Sequence, residues 1–165
     1  MPRQRKFSTV RGILWVGFAA YILWMLWLLF GQRLGTHVYT QHLAERVNLH
    51  PFATVRRYVT LLQNSQSPGL LRHAVVNLAG NIVMFVPLGF FLPCVFWVFR
   101  RFYRTFLTCL ILIVLIEWIQ YITGLGTCDV DDVILNLMGI SIGYPCSKIR
   151  LGKGKPDDNV LNERK

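Results

Sequence analysis

Carboxylates and amides recur about one helical turn apart inside otherwise apolar stretches of this chain. Asn77 and Asn81 open the run NLAGNIVMFVPLGFFLP, Glu117 and Gln120 interrupt a second run, and Asp129, Asp131, Asp132 and Asn136 follow a short gap later. Such groups are costly at membrane depth, so they face a bundle interior or a wet cavity and mark function. A carboxyl such as Glu117 inside a helix is paired, hydrated or protonated, because desolvation penalises the charged form. Three kinds of chemistry are open to this set. Glu117 and Asp132 could share a proton within a neutral network. Glu117, Asp129 and Asp132, with asparagine oxygens, could hold Ca²⁺ or Mg²⁺, which favour oxygen ligands, and the cation could hold a lipid phosphate. Glu117 or Asp132 could act as acid or base on a lipid-linked substrate. No Ser-His, Cys-His or His-rich set accompanies them, and His37, His42, His50 and His73 all fall in one loop, so the case for an enzyme is thin.

Each residue also has a purely structural reading. Asn77 and Asn81 could bond across helices, for about 1 kcal/mol or less. Asp129 or Asp131 could cap a helix start, accepting amide hydrogens and favoured by the helix dipole. Gly139 and Gly143, four apart, suit close helix packing, within the chain or in a homodimer. Pro87 deprives the Val83 carbonyl of its helical donor and favours a kink.

The elements that must position these groups are membrane helices. The chain has 165 residues, of which 53% are hydrophobic, too apolar for an ordinary soluble domain of this size. Gly12 to Phe30 carries no charge and is long enough to cross a hydrocarbon core of about 30 Å. Its tryptophans Trp15, Trp24 and Trp27 and its lack of a small-residue cleavage site argue for a retained span over a signal peptide. The hydrophobic pattern predicts an all-α membrane protein, a four-helix bundle with helices near 12–30, 74–99, 105–122 and 130–147. These make a transmembrane domain of 12–145, with a basic N-terminus at 1–11, an outer loop at 31–73 and a disordered basic tail at 148–165. Within the loop, Val55, Tyr58, Val59 and Leu62 recur at helical spacing opposite Arg56 and Arg57, the pattern of a helix lying at the interface. The stretch 63–69 reads as flexible.

Charge sets the orientation. Arg3, Arg5, Lys6 and Arg11, the turn Arg100-Arg101-Phe102-Tyr103-Arg104, and a tail with Lys148, Arg150, Lys153 and Lys155 are basic, whereas 123–132 has no Lys or Arg. The positive-inside bias places both termini in the cytoplasm. The net charge of +10 then serves topology and contact with anionic lipid, with no need for nucleic acid. With that orientation Asn77, Asn81, Glu117, Gln120, Asp129, Asp132 and Asn136 converge at one outward level. Cys94, Cys109, Cys128 and Cys146 show no metal spacing and no obvious pairing.

The blocks NLAGNIVMFVPLGFFLP and IEWIQYITGLGTCDVDDVILNLMGISIGY, with VNLHPF before them, resemble the VanZ-like membrane proteins. The positions that carry the resemblance are Asn77, Asn81, Phe85, Pro87, Gly89, Glu117, Gln120, Asp129, Asp132, Asn136, Gly139 and Gly143. Thr127-Cys128 stands where many members have an Arg-Ser pair, so a basic partner for Asp129 would have to come from elsewhere, such as Arg56 or Arg57. The resemblance implies a multi-pass protein of the bacterial plasma membrane, in a family linked to teicoplanin resistance and with no established reaction. It leads to the expectation of an envelope protein whose polar pocket binds a phospholipid headgroup or lipid-linked cell-wall precursor and lowers glycopeptide susceptibility. A membrane enzyme or a small proton-coupled transporter are the alternatives.

Overall fold

The structure is a computed structural model and describes residues 3–31 and 47–152. Among the described residues the elements run α1 (Arg3–Leu29), β1 (Val47–Asn48), α2 (Ala53–Asn64), α3 (Pro68–Val95), a 3-10 turn (Trp97–Arg100), α4 (Phe102–Ile122), β2 (Cys128–Asp129) and α5 (Val130–Gly152). Three of them contain stretches long and apolar enough to cross a membrane: Thr9–Leu29, Pro68–Val95 and Phe102–Ile122. Their outer faces leave Val16, Leu23, Leu107, Ile111 and Trp118 exposed. Aqueous monomers seldom expose such continuous apolar surface; lipid would cover it.

Several boundaries differ from those read off hydropathy. α1 begins at Arg3, so the basic N-terminus is largely its first turns. α3 begins at Pro68, in place of residue 74, because proline suits the first turn of a helix and Ser67 ahead of it is extended. The expected flexible stretch 63–69 thereby shrinks to Ser65–Ser67 between α2 and α3. α3 also ends earlier than 99: Phe96 is extended after Pro93, and Trp97–Arg100 form the 3-10 turn. α5 runs through Pro145 to Gly152, which takes Lys148–Gly152 out of the expected tail. The remainder of that tail, 153–165, and part of the loop, 32–46, lie outside the described residues.

α3 and α5 pack side by side and in parallel. A Cβ on Gly139 would overlap the Ile82 carbonyl, one on Gly143 the Val86 carbonyl, and one on Gly89 the Ile140 carbonyl. Three missing side chains thus let two backbones touch, and fully buried Phe85 and Ile140 fill the seam beside them. Of the two placements open to Gly139 and Gly143, this is the intramolecular one: α3 of the same chain occupies both glycines. α3 stays helical through Pro87 and Pro93.

The other two long apolar helices, α1 and α4, lean on this pair. α1 meets α3 and the residue just past its end through rings: the Phe18 ring lies 6.0 Å from that of Phe91 and the Trp15 ring 5.1 Å from that of Phe96. The Tyr21 hydroxyl donates to the Met84 carbonyl at 2.8 Å. α4 buries one stripe, Thr105, Cys109, Ile113, Glu117 and Gln120, at helical spacing. At the basic end of the molecule the Arg100 carbonyl accepts from the Tyr144 hydroxyl at 2.6 Å and from Lys148 Nζ at 2.7 Å.

Candidate functional site

The site forms at the end of the α3–α5 seam opposite those basic residues. Gly124, at φ 75°, ends α4 in the left-handed conformation that glycine tolerates, and the chain turns into β2. There it pairs in parallel with β1, Val47 opposite Cys128 and Asn48 opposite Asp129. This short pairing brings the loop before α2 against the start of α5.

Asp129 and Asp131 are both taken up in that junction. Asp129 Oδ1 accepts from the Asp131 amide at 2.9 Å, which caps α5 as the sequence allowed. The same carboxylate accepts from Asn48 Nδ2 at 3.2 Å and from the Thr54 hydroxyl at 2.5 Å. Asn48 Nδ2 also reaches Thr54 Oγ1 at 3.0 Å. Two neutral side chains therefore stand where Arg56 or Arg57 was expected to serve Asp129; neither arginine is its partner. Asp131 has no exposed surface and caps a different helix. Its carboxylate accepts from the amides of Phe52 at 2.5 Å and Val55 at 3.0 Å, at the first turn of α2. A carboxylate at a helix N-terminus is favoured by its unpaired amides and by the dipole. Phe52 sits at φ 64°, a left-handed conformation costly for a non-glycine residue, and the bond its amide gives to Asp131 helps hold it there.

Asp132 and the asparagines form the second part. Asn81 Nδ2 donates to Asp132 Oδ1 at 2.5 Å, joining α3 to α5. Asn136, one turn beyond Asp132, lies on the stripe that continues to Gly139, Ile140 and Gly143 and so faces α3. Asn77, one turn before Asn81, lies on the matching stripe of α3. The Oδ1 atoms of Asn77 and Asn136 are buried and have no hydrogen-bond partner. Buried polar groups are nearly always satisfied, so these two acceptors, one on each helix of the seam, stand out among the described residues.

Glu117 and Gln120 reach this level on the buried stripe of α4. Gln120 Nε2 donates to the Leu29 carbonyl at 3.0 Å, closing the end of α1 onto α4. This bond makes Gln120 a tie between two helices. Glu117 is buried on α4 and acts electrostatically on Cys128. Burial pushes the Cys128 thiol above its ordinary range, and the charges of Glu117 and Asp129 add to the shift. Tyr58 on α2 is raised likewise, first by burial, then by Asp132 and Asp129, with Arg57 opposing. Its ring lies 5.8 Å from that of His73, tying α2 to the start of α3.

A residue match now decides the family. The VanZ/LLP1 family model matches residues 15–151, which is most of the chain and includes every group just described. The protein belongs to the VanZ/LLP1 family. No curated protein gives a significant match, and no solved structure does.

In this VanZ-family chain some expected chemistry is absent from the geometry. Among the described residues no three His, Cys, Asp or Glu side chains stand close enough to share a metal ion. The cation site expected of Glu117, Asp129 and Asp132 is not assembled, because Asp129 is turned to Asn48 and Thr54 while Asp132 is turned to Asn81. Sequence reading passed over Asp131, Asn48 and Thr54 as site residues. VNLHPF was the available signal for Asn48, since an asparagine three residues before a proline could have been read as part of a built turn. An open groove of about 430 Å³ lined by Phe106, Ile134, Leu137, Met138, Ser141 and Ile142 is apolar and forms no part of this site.

Proposed function

We propose that this VanZ-family protein is a multi-pass component of the bacterial plasma membrane that binds the headgroup of a lipid or lipid-linked cell-wall precursor and thereby lowers teicoplanin susceptibility. α5 serves as a fourth span beside α3, its polar first turn sheltered by α2 and α3. The distribution of Lys and Arg puts both termini in the cytoplasm and the carboxylate end outside. α2 then lies at the outer interface, with Arg56 and Arg57 exposed at the level of the lipid phosphates.

The observation that carries this reading is the pair of buried, unpartnered carbonyls on Asn77 and Asn136 beside Asp132. They lie at the end of a rigid, glycine-packed seam, so the site is held by well-packed helices and not by a loose loop. Asp129 and Asp131 are occupied by protein hydrogen bonds, which gives them the part of scaffold and favours binding over catalysis. Expression of the wild-type chain in a sensitive Gram-positive host is expected to raise the teicoplanin concentration needed for inhibition. Asp132→Asn and Glu117→Gln, each at matched membrane abundance, are expected to abolish that protection. No protection by wild type would overturn the resistance role. A lipid product present with wild type and lost in Glu117→Gln would replace it with a membrane enzyme.

A further inference from the structure

We propose that the carboxylate end of the α3–α5 seam is selective for a primary ammonium group, taken between Asn77, Asn136 and Asp132. The inference rests on the headgroup-binding reading above and names the chemistry of the group bound. Asn136 is only 3% exposed, its carbonyl is unpartnered, and its place on the α3-facing stripe aims it at the seam that Asp132 and Asn81 close. Asn77 adds a second open carbonyl from the facing helix. Asp132 supplies negative charge, anchored by its bond from Asn81.

An ammonium carries three donors and no acceptor. Two carbonyl oxygens and a carboxylate are acceptors that match it in number and in charge. A phosphate would meet them with acceptors and negative charge of its own, leaving the amide carbonyls unsatisfied and adding repulsion. A quaternary ammonium has the charge but no N–H to give. Asn77 and Asp132 are only partly buried, so the seam has an open rim through which such a group can enter. The exposed Arg56 and Arg57 of α2 suit the phosphate of the same headgroup, outside the seam.

The test presents the detergent-solubilised full chain with equimolar phosphatidylethanolamine, phosphatidylcholine and phosphatidic acid and reads retained lipid by native mass spectrometry. Wild type is expected to retain phosphatidylethanolamine about tenfold over the other two, the discrimination of a buried site that loses a charge-assisted bond. Asn136→Leu is expected to lose this preference. Asn136→Asp, which keeps an acceptor and removes the amide NH₂, is expected to keep it. Displacement by free ethanolamine would support the proposal with a soluble amine as the source; resistance to it would support it with the lipid. Equal retention of phosphatidylcholine would overturn it, as would loss of preference in Asn136→Asp. Preference for phosphatidic acid that depends on Asn136 would overturn it and leave headgroup binding standing. No retention of any lipid or of ethanolamine would overturn both.

Discussion

Asp131 has no exposed surface, yet its carboxylate serves a helix it is not part of. It accepts from the first amides of α2 and holds Phe52 in a left-handed conformation. Hydrogen bonds to a charged group contribute about 1.5–3 kcal/mol each. Asp131→Ala is therefore expected to destabilise the protein by about 3 kcal/mol or more, read from its unfolding midpoint in detergent; an unchanged midpoint would contradict the capping role. Cys128 gives a second check. Its thiol is raised above its ordinary range by burial and then by Glu117 and Asp129, so at a given pH less of it is the reactive thiolate. In a background lacking Cys94, Cys109 and Cys146 it should react with maleimide more slowly than free cysteine, and the rate should keep climbing above about pH 9. Glu117→Gln removes one of the raising charges and should quicken the reaction; a slower rate would contradict the placement of Glu117. The polar residues were legible as a group because their types clash with their apolar surroundings. Their partners were not, since Asn48 and Thr54 reach Asp129 across more than seventy positions, a separation that no local pattern encodes.

At the scale of elements, the α3–α5 seam governs the site. Gly139 and Gly143 were readable as close-packing residues from their spacing, but not the helix they would meet, because spacing describes one surface and the partner is chosen by the fold. The observed contacts on Ile82 and Val86 make a sharp expectation. Gly143→Ala must push α5 away from α3, at a cost of about 1–3 kcal/mol. Gly80→Ala on α3 meets nothing within 4 Å and should be neutral or gain up to about 1 kcal/mol from helix propensity. Equal effects in thermal unfolding would contradict the seam. Long apolar stretches made the existence of helices legible, while the ends lie elsewhere than hydropathy alone puts them. Pro68 extends α3 outward and Pro93 precedes its end, because proline starts helices readily and continues them poorly. Spacing puts Gln120 on one face with Glu117, and it does not reveal that its amide ties α4 to the Leu29 carbonyl. The two lie on one stripe, yet the stripe meets different neighbours along its length.

For the molecule as a whole, the Arg100–Lys148 contact and the polar site lie at opposite ends of the α3–α5 seam. Arg100 and Lys148 meet at one end, and the aspartates with Asn77, Asn81 and Asn136 gather at the other. The proposed function requires the aspartate end to face outward, and the basic-residue bias that supports this is independent of the site geometry. The direct measurement is labelling of intact cells with a membrane-impermeant thiol reagent, using chains with one cysteine each. One chain carries Thr127→Cys, at an exposed position beside Asp129, with the native cysteines replaced; the other keeps only Cys146, exposed on α5 near the basic end. The predicted result is that Thr127→Cys labels in intact cells and Cys146 labels only after permeabilisation. Labelling of Cys146 in intact cells, with Thr127→Cys protected, would put the polar site inside and contradict the proposed function.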